Sequence, residues 1–256
     1  MSFVESVQRG RVLRLALNRP DKRNALSAAF CRELVQALER ADRDPSVGAI
    51  LLAANGKSFC AGMDLNEIAL GNVEEINTAH EQIFTVGSRL SKPLIGAVHG
   101  AALGGGTGLV ANCHIVIAAQ DATFGLTEIR LGLWPFLVFR AVSAAVGERR
   151  AVELSITGRI FGPQDAREIG FVSEISPDMP HRAAEVAESV ASFSPTAIRS
   201  GIGFVSQIRG MDWASAGQVA RRVRTQVFQS LDFQEGIRAF REKRPPRWPS
   251  LREPPT

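Results

Sequence analysis

Apolar and polar positions alternate in part over Val4 to Gln8 and again over Arg11 to Leu17, with Arg9-Gly10 between them. That pattern predicts a β-hairpin. Asn18-Arg19-Pro20-Asp21 breaks the second strand. Beyond Ser27, a good N-cap, Phe30, Leu34, Ala37, Leu38 and Ala41 recur at helical spacing, and Asp44-Pro45 stops the helix. The unbroken run Ala49-Ile-Leu-Leu-Ala53 predicts a strand buried on both faces. A loop over Asn55 to Gly62 follows, and Asp64 to about Leu90 reads as one helix. Leu94 to Val98 is the next buried strand, and a glycine-rich turn from Gly100 to Gly108 leads into a short helix and then a strand over His114 to Ala118. From Phe136 the pattern is mostly helical, with one short strand near Phe171-Val172. Strands alternating with helices predict an α/β fold with a largely parallel sheet. The expected division is a core over residues 1–193 and a helical C-terminal region over 194–256, starting at Ser194-Pro195.

Composition narrows this little. Hydrophobic residues make up 45% of 256 positions and charged residues 22%, which excludes a disordered chain. No apolar run is long enough to span a bilayer, so no membrane association is expected. The first six residues lack a basic stretch followed by an apolar one, and no signal peptide is expected. Cys31, Cys60 and Cys113 form no spaced framework, which fits a reducing, cytoplasmic setting. The formal net charge is +4 and basic residues are interspersed with acids, with no basic-aromatic stripe for nucleic acid. Arg241 to Arg247 is the exception, read either as a solvated tail or as a phosphate contact.

Several chemical signals fail on spacing. Gly56-Lys57-Ser58 follows a strand, but a phosphate loop needs a glycine where Leu51 stands. His80-Glu81 opens like a zinc-protease helix, yet Phe84 occupies the second histidine position. Gly106-Thr-Gly-Leu-Val-Ala111 matches a loose dinucleotide pattern but lies too far beyond its strand. His99 reads as a packed residue and Asp64 as a helix N-terminal cap rather than as catalysts.

Two turns remain, Gly56 to Leu65 and Gly104-Gly105-Gly106, each following a buried strand and leading into a helix. Each presents free N–H groups at the carboxyl edge of the sheet. They are either an oxyanion hole built from backbone or two tightly packed helix-entry turns.

Four stretches, Leu17-Asn-Arg-Pro-Asp-Lys-Arg-Asn-Ala-Leu26, Phe59-Cys-Ala-Gly-Met-Asp-Leu65, Ala97-Val-His-Gly-Ala-Ala-Leu-Gly-Gly-Gly106 and Phe124-Gly-Leu-Thr-Glu-Ile-Arg-Leu-Gly-Leu-Trp-Pro135, resemble the enoyl-CoA hydratase/isomerase (crotonase) family. Gly158 to Ala166 and Phe240-Arg-Glu-Lys-Arg244 extend the likeness over nearly the whole chain. The resemblance implies a crotonase-like spiral of ββα turns with a helical trimerisation region, an acyl-CoA substrate, a homotrimer or hexamer, and no metal or redox cofactor. It implies that the N–H groups of Met63 and Gly105 hold the thioester oxygen. Lys22, Arg23, Ala25, Leu26 and Ala61 would line the CoA path, and Phe240 and Lys243 would close over CoA. Asp64, Leu65, Gly104, Gly108 and Trp134 fall among the implied substrate-binding positions, Trp134 and Phe136 shaping the acyl pocket.

Hydratases of the family use two glutamates. The second falls on Glu128, while the position of the first is Gly108. A single carboxylate suits a 1,3-proton shift, in which one base removes a proton and returns it two carbons away. The expected reaction is therefore conversion of a 3-enoyl-CoA to a 2-enoyl-CoA by Glu128. Hydration of a 2-enoyl-CoA and CoA-ester binding without chemistry are the alternatives. If a glutamate side chain fits at Gly108, it is expected to raise hydration.

Overall fold

The computed structural model describes residues 2–70 and 72–251. A hairpin of β1 (Val4–Arg9) and β2 (Val12–Leu17) opens the chain and turns at Gly10. Then come α1 (Ala28–Arg43), β3 (Ala49–Ala54), α2 (Leu65–Leu70), α3 (Val73–Thr85) and β4 (Leu94–Val98). β5 (Ala101–Leu103), α4 (Gly105–Ala111), β6 (Ile115–Ala118) and β7 (Thr123–Gly125) follow, then a 3-10 turn over Thr127–Leu131. α5 (Phe136–Val146), α6 (Glu148–Thr157), α7 (Pro163–Glu168), β8 (Glu174–Ile175) and α8 (Met179–Ala191) complete the α/β part. α9 (Pro195–Ile208), α10 (Trp213–Phe228) and α11 (Leu231–Arg241) end the fold.

The main sheet has the order β1-β2-β3-β4-β6-β8, antiparallel in the hairpin and parallel thereafter. β3 is buried at every position, as its unbroken apolar run requires. Its period of two divides those residues between two cores. Ile50, Leu52 and Ala54 join the large core packed with α1 and α3, while Ala49, Leu51 and Ala53 join a second core under α8. Each fully buried Leu or Ile contributes about 1.5–3 kcal/mol.

A second, smaller layer runs beside the main sheet. β5 pairs with β7 in parallel, and isolated bridges join Cys60 to Ala102 and Phe124 to Phe161. Ala102 itself pairs with Phe124, so one register line runs Cys60, Ala102, Phe124, Phe161. Three successive passages of the chain therefore repeat one pattern, a main-sheet strand, a second-layer residue or strand, then a helical turn. This repeat is the ββα spiral implied by the sequence. Thr107 ties two passages together. Its hydroxyl is fully buried, donates to Ala102 C=O at 2.7 Å and accepts from Gly125 N–H at 3.1 Å.

Three local expectations are corrected. The single helix expected from Asp64 to Leu90 is two, because Asn72 starts α3 as an N-cap, its Oδ1 accepting from Glu74 N–H at 3.0 Å. α3 then ends at Thr85 in a short 3-10 turn. The glycine-rich turn after β4 contains a strand, β5, drawn in by its pairing with β7. Phe171 and Val172 are not a strand, since both N–H groups bond back to Ala166 C=O at the end of α7. Their side chains are buried, Phe171 edge-on to Phe124 at 5.4 Å, and the strand lies at β8.

The three C-terminal helices pack on one another. Asp232 holds their ends, accepting from Ser194 Oγ at 2.5 Å, Ser250 N–H at 3.0 Å and Ser250 Oγ at 2.6 Å. The basic segment after α11 is neither a free tail nor available to phosphate through Arg244. That guanidinium grips Glu235 at 2.6 Å, and Trp248 Nε1 donates to Ser192 C=O at 2.8 Å.

Removing the hydroxyl that joins the two second-layer turns leaves a donor and an acceptor buried without partners. Thr107→Val is expected to lower stability by about 1–3 kcal/mol. Chemical denaturation of the variant beside its parent measures this.

Candidate active site

The repeat of the spiral brings three turns together. Met63 stands three residues past Cys60, Gly105 three past Ala102, and Glu128 four past Phe124. Because those three second-layer residues are laterally paired, the turns that follow them open side by side. A cavity of about 640 Å³ lies over them, walled by Met63, Gly105 and Glu128 together with residues of α2, α3 and the 131–138 segment.

The two N–H groups are oriented by neighbours. Met63 forms a parallel bridge with Leu26, in which Leu26 N–H donates to Gly62 C=O at 2.8 Å and Asp64 N–H to Leu26 C=O at 3.0 Å. Parallel pairing uses the groups on either side of Met63 and turns its own N–H to the opposite edge. Gly105 is the first residue of α4, whose N–H has no intrahelical acceptor. Among the described residues neither N–H donates within the chain. The turns touch: a Cβ on Gly62 would lie 3.4 Å from Gly105 N.

Glu128 sits on the glycine triplet. Gly104 has φ +53°, and a Cβ there would meet Glu128 Oε1 at 3.2 Å. A Cβ on Gly106 would strike Cys60 C=O at 2.2 Å, so close packing of the first two turns requires glycine there. Glu128 Oε2 is buried and has no hydrogen-bond partner. Burial raises the Glu128 pKa, partly offset by its own backbone N–H. The result is a carboxyl group with a raised pKa set beside two N–H groups that find no acceptor within the chain. Leu133 N–H bonds to Glu128 C=O at 3.1 Å and brings Leu133 and Trp134 onto the cavity wall.

Comparison with known proteins agrees with this geometry. The family model described as enoyl-CoA hydratase/isomerase matches residues 8–251. The chain belongs to the enoyl-CoA hydratase/isomerase family. It is similar to the enoyl-CoA hydratase EchA19 of Mycobacterium tuberculosis, 33% identical with 93% of each chain covered. It is 35% identical to the 2,3-dehydroadipyl-CoA hydratase of Escherichia coli, covering 92% of this chain and 94% of that protein. The crystal structure of an enoyl-CoA hydratase from Mycobacterium smegmatis superposes with a TM-score of 0.91 at 31% identity, covering 96% of this chain and 98% of the other.

The remaining residues expected at the site fall into three places. Ala61, Leu65, Gly104 and Trp134 line the cavity. Lys22, Arg23, Ala25 and Leu26 form the adjoining loop, which Ala61 N–H joins by bonding to Arg23 C=O at 2.9 Å. Phe240 and Lys243 lie on and just past α11, exposed and outside the cavity wall. Asp64, expected as a cap, accepts from Asn66 N–H at 3.1 Å, and it also pairs with Arg19 at 2.7 Å. Burial raises its pKa, but the Arg19 guanidinium outweighs this and holds it below the usual carboxylate range. Glu67 likewise is committed, accepting from Ala28 N–H at 2.8 Å. Neither is a free base.

Two contributors had no signal in the residue pattern alone. Asn24 is fully buried at φ +55° and bonds Arg19 N–H, Asn55 C=O and Ser58 C=O, fixing the loop against the first donor turn. His80, dismissed as a failed zinc ligand, lines the cavity, its Nε2 3.3 Å from Leu26 C=O. A carbonyl only accepts, so this nitrogen carries a proton, and burial lowers the His80 pKa.

Gly108 is closely packed. A Cβ there would lie 2.3 Å from Val138 Cγ1 and 3.1 Å from Phe84 Cδ1. α5 crosses α4 at this point, so a glutamate enters only if Val138 and its helix shift. Gly108→Ala is expected to cost about 1–3 kcal/mol by overpacking. In Gly108→Ala combined with Val138→Ala the two costs should fall short of additivity, as a double-mutant denaturation cycle would show.

Proposed function

We propose that this protein isomerises a 3-enoyl-CoA to a 2-enoyl-CoA, with Glu128 as its single acid and base. The observation that carries this reading is the pairing of one half-buried carboxyl group, its Oε2 buried without a partner, with a filled space where a second would stand. The N–H groups of Met63 and Gly105 receive the thioester oxygen. As Glu128 removes the α-proton, negative charge moves onto that oxygen, and two preorganised donors stabilise it by several kcal/mol. Glu128, its pKa raised by burial, then returns the proton at the γ-carbon, and the double bond moves into conjugation. The base and both donors belong to the chain, so the reaction calls for no metal or redox cofactor.

Hydration of a 2-enoyl-CoA is the second reading, favoured by the printed names of the relatives. The two separate in one comparison. Isomerisation of 3-hexenoyl-CoA is expected to exceed hydration of crotonyl-CoA, and the reverse ratio overturns the isomerase reading. Glu128→Gln keeps the shape and removes the base, so turnover should fall ~10²–10⁴-fold while calorimetric affinity for a non-reactive acyl-CoA changes little. Such a fall is roughly 3–5 kcal/mol of transition-state stabilisation. In the parent, the α-proton is removed only by the ionised carboxylate, so the rate rises as pH climbs through the raised Glu128 pKa.

We further propose a trimer or hexamer in a reducing cytoplasm. Trp213, Leu231 and Phe240 on the C-terminal helices are 95%, 65% and 83% exposed, an apolar surface suited to burial between copies. Among the described residues no helix is long and apolar enough to cross a membrane, and the three cysteines are unpaired. Light scattering at micromolar concentration is expected to give a mass of three or six chains, and a monomer would contradict the assembly.

A further inference from the structure

The charge lining the acyl cavity is one-sided. Of its ionisable walls, Glu128 belongs to the chemistry described above, and burial disfavours a charge on His80. The other is Glu81 on α3, facing the same space as Asn77 one turn earlier. No lysine or arginine lines the cavity among the described residues. Among the described residues no ion pair engages Glu81; α3's Glu75 pairs instead with Arg32. The opposite wall is apolar, and its Leu131 and Phe136 are 61% and 71% exposed.

We propose that Glu81 is a specificity-determining residue that selects uncharged acyl chains and rejects those ending in a carboxylate. This rests on the acyl-CoA reading above and adds the class of acyl group. An apolar chain covers the exposed leucine and phenylalanine surface and gains by it. A chain ending in a carboxylate brings a negative charge into a space that already holds two carboxyl groups and offers no cation. Like charges brought together in a partly desolvated site oppose binding. The polar face of α3, with Asn77 and Glu81 at i and i+4, lines the cavity an acyl chain would enter.

The test is binding, so it does not depend on which reaction the enzyme performs. Calorimetry compares hexanoyl-CoA with adipyl-CoA, thioesters of the same length that differ in the terminal carboxylate. The parent is expected to bind hexanoyl-CoA at least about tenfold more tightly. Glu81→Gln should narrow that ratio severalfold, and Glu81→Arg should narrow it further or reverse it. Because Glu81 is exposed, both variants should fold, and Asn77→Arg supplies a cation on the same wall as an independent check. Equal affinity of the parent for the two thioesters overturns the inference while leaving the acyl-CoA reading intact. So does a ratio unmoved in all three variants. Failure of both thioesters to bind overturns the acyl-CoA reading and this inference with it.

Discussion

The lateral pairing of Cys60, Ala102 and Phe124 is the constraint on which the site depends. Neighbouring strands lie about 4.8 Å apart, and parallel strands deliver their carboxyl ends to one edge. The residues three or four positions later are thus forced into one small volume. Met63, Gly105 and Glu128 are separated by 42 and 23 positions in the chain, yet each emerges from the equivalent point of one spiral turn. The Thr107 hydroxyl and the absence of a side chain at Gly106 keep that spacing close.

Electrostatics in this volume divides the acids by role. Asp64 and Glu67 are near the first donor turn, but each satisfies fixed partners, Arg19 and Asn66 in one case and Ala28 N–H in the other. At Asp64 the Arg19 guanidinium favours the charged form over the opposing effect of burial. Glu128 has the opposite environment: it is desolvated and its Oε2 has no partner, so its pKa moves up. The same burial acts on the Cys60 thiol, raising it to about 12 and leaving it a packed, unreactive side chain at the heart of the ladder.

Packing also decides what chemistry the second position can support. Gly108 is buried under Val138 and Phe84, so the crossing of α4 by α5 takes the space that a second carboxylate would need. The departure from the two-glutamate pattern is therefore built into the helix crossing and is not a single missing side chain. Restoring an acid would require α5 to move away, at the expense of the core around Val138 and Val142.

Much was legible in the residues themselves. The unbroken apolar run of β3 announced burial on both faces because a period of two leaves no polar side, and Ser27 announced α1 through its hydroxyl. The family stretches named Met63, Gly105 and Glu128 together, and the three line one cavity. Short elements were not legible. β5 is three residues inside a glycine-rich run and becomes a strand only through its partner β7, a pairing no local propensity encodes. Phe171 and Val172 looked like a strand because they are apolar, while their backbone is claimed by Ala166. The fit at Gly108 was equally hidden, because a glycine shows what is absent from a position and not what fills it. Only the tertiary structure placed Val138 there, lined the cavity with Glu81 and His80, and left Glu128 Oε2 without a partner. Each of those facts is a contact between segments distant in the chain, and such contacts exist only once the spiral has closed.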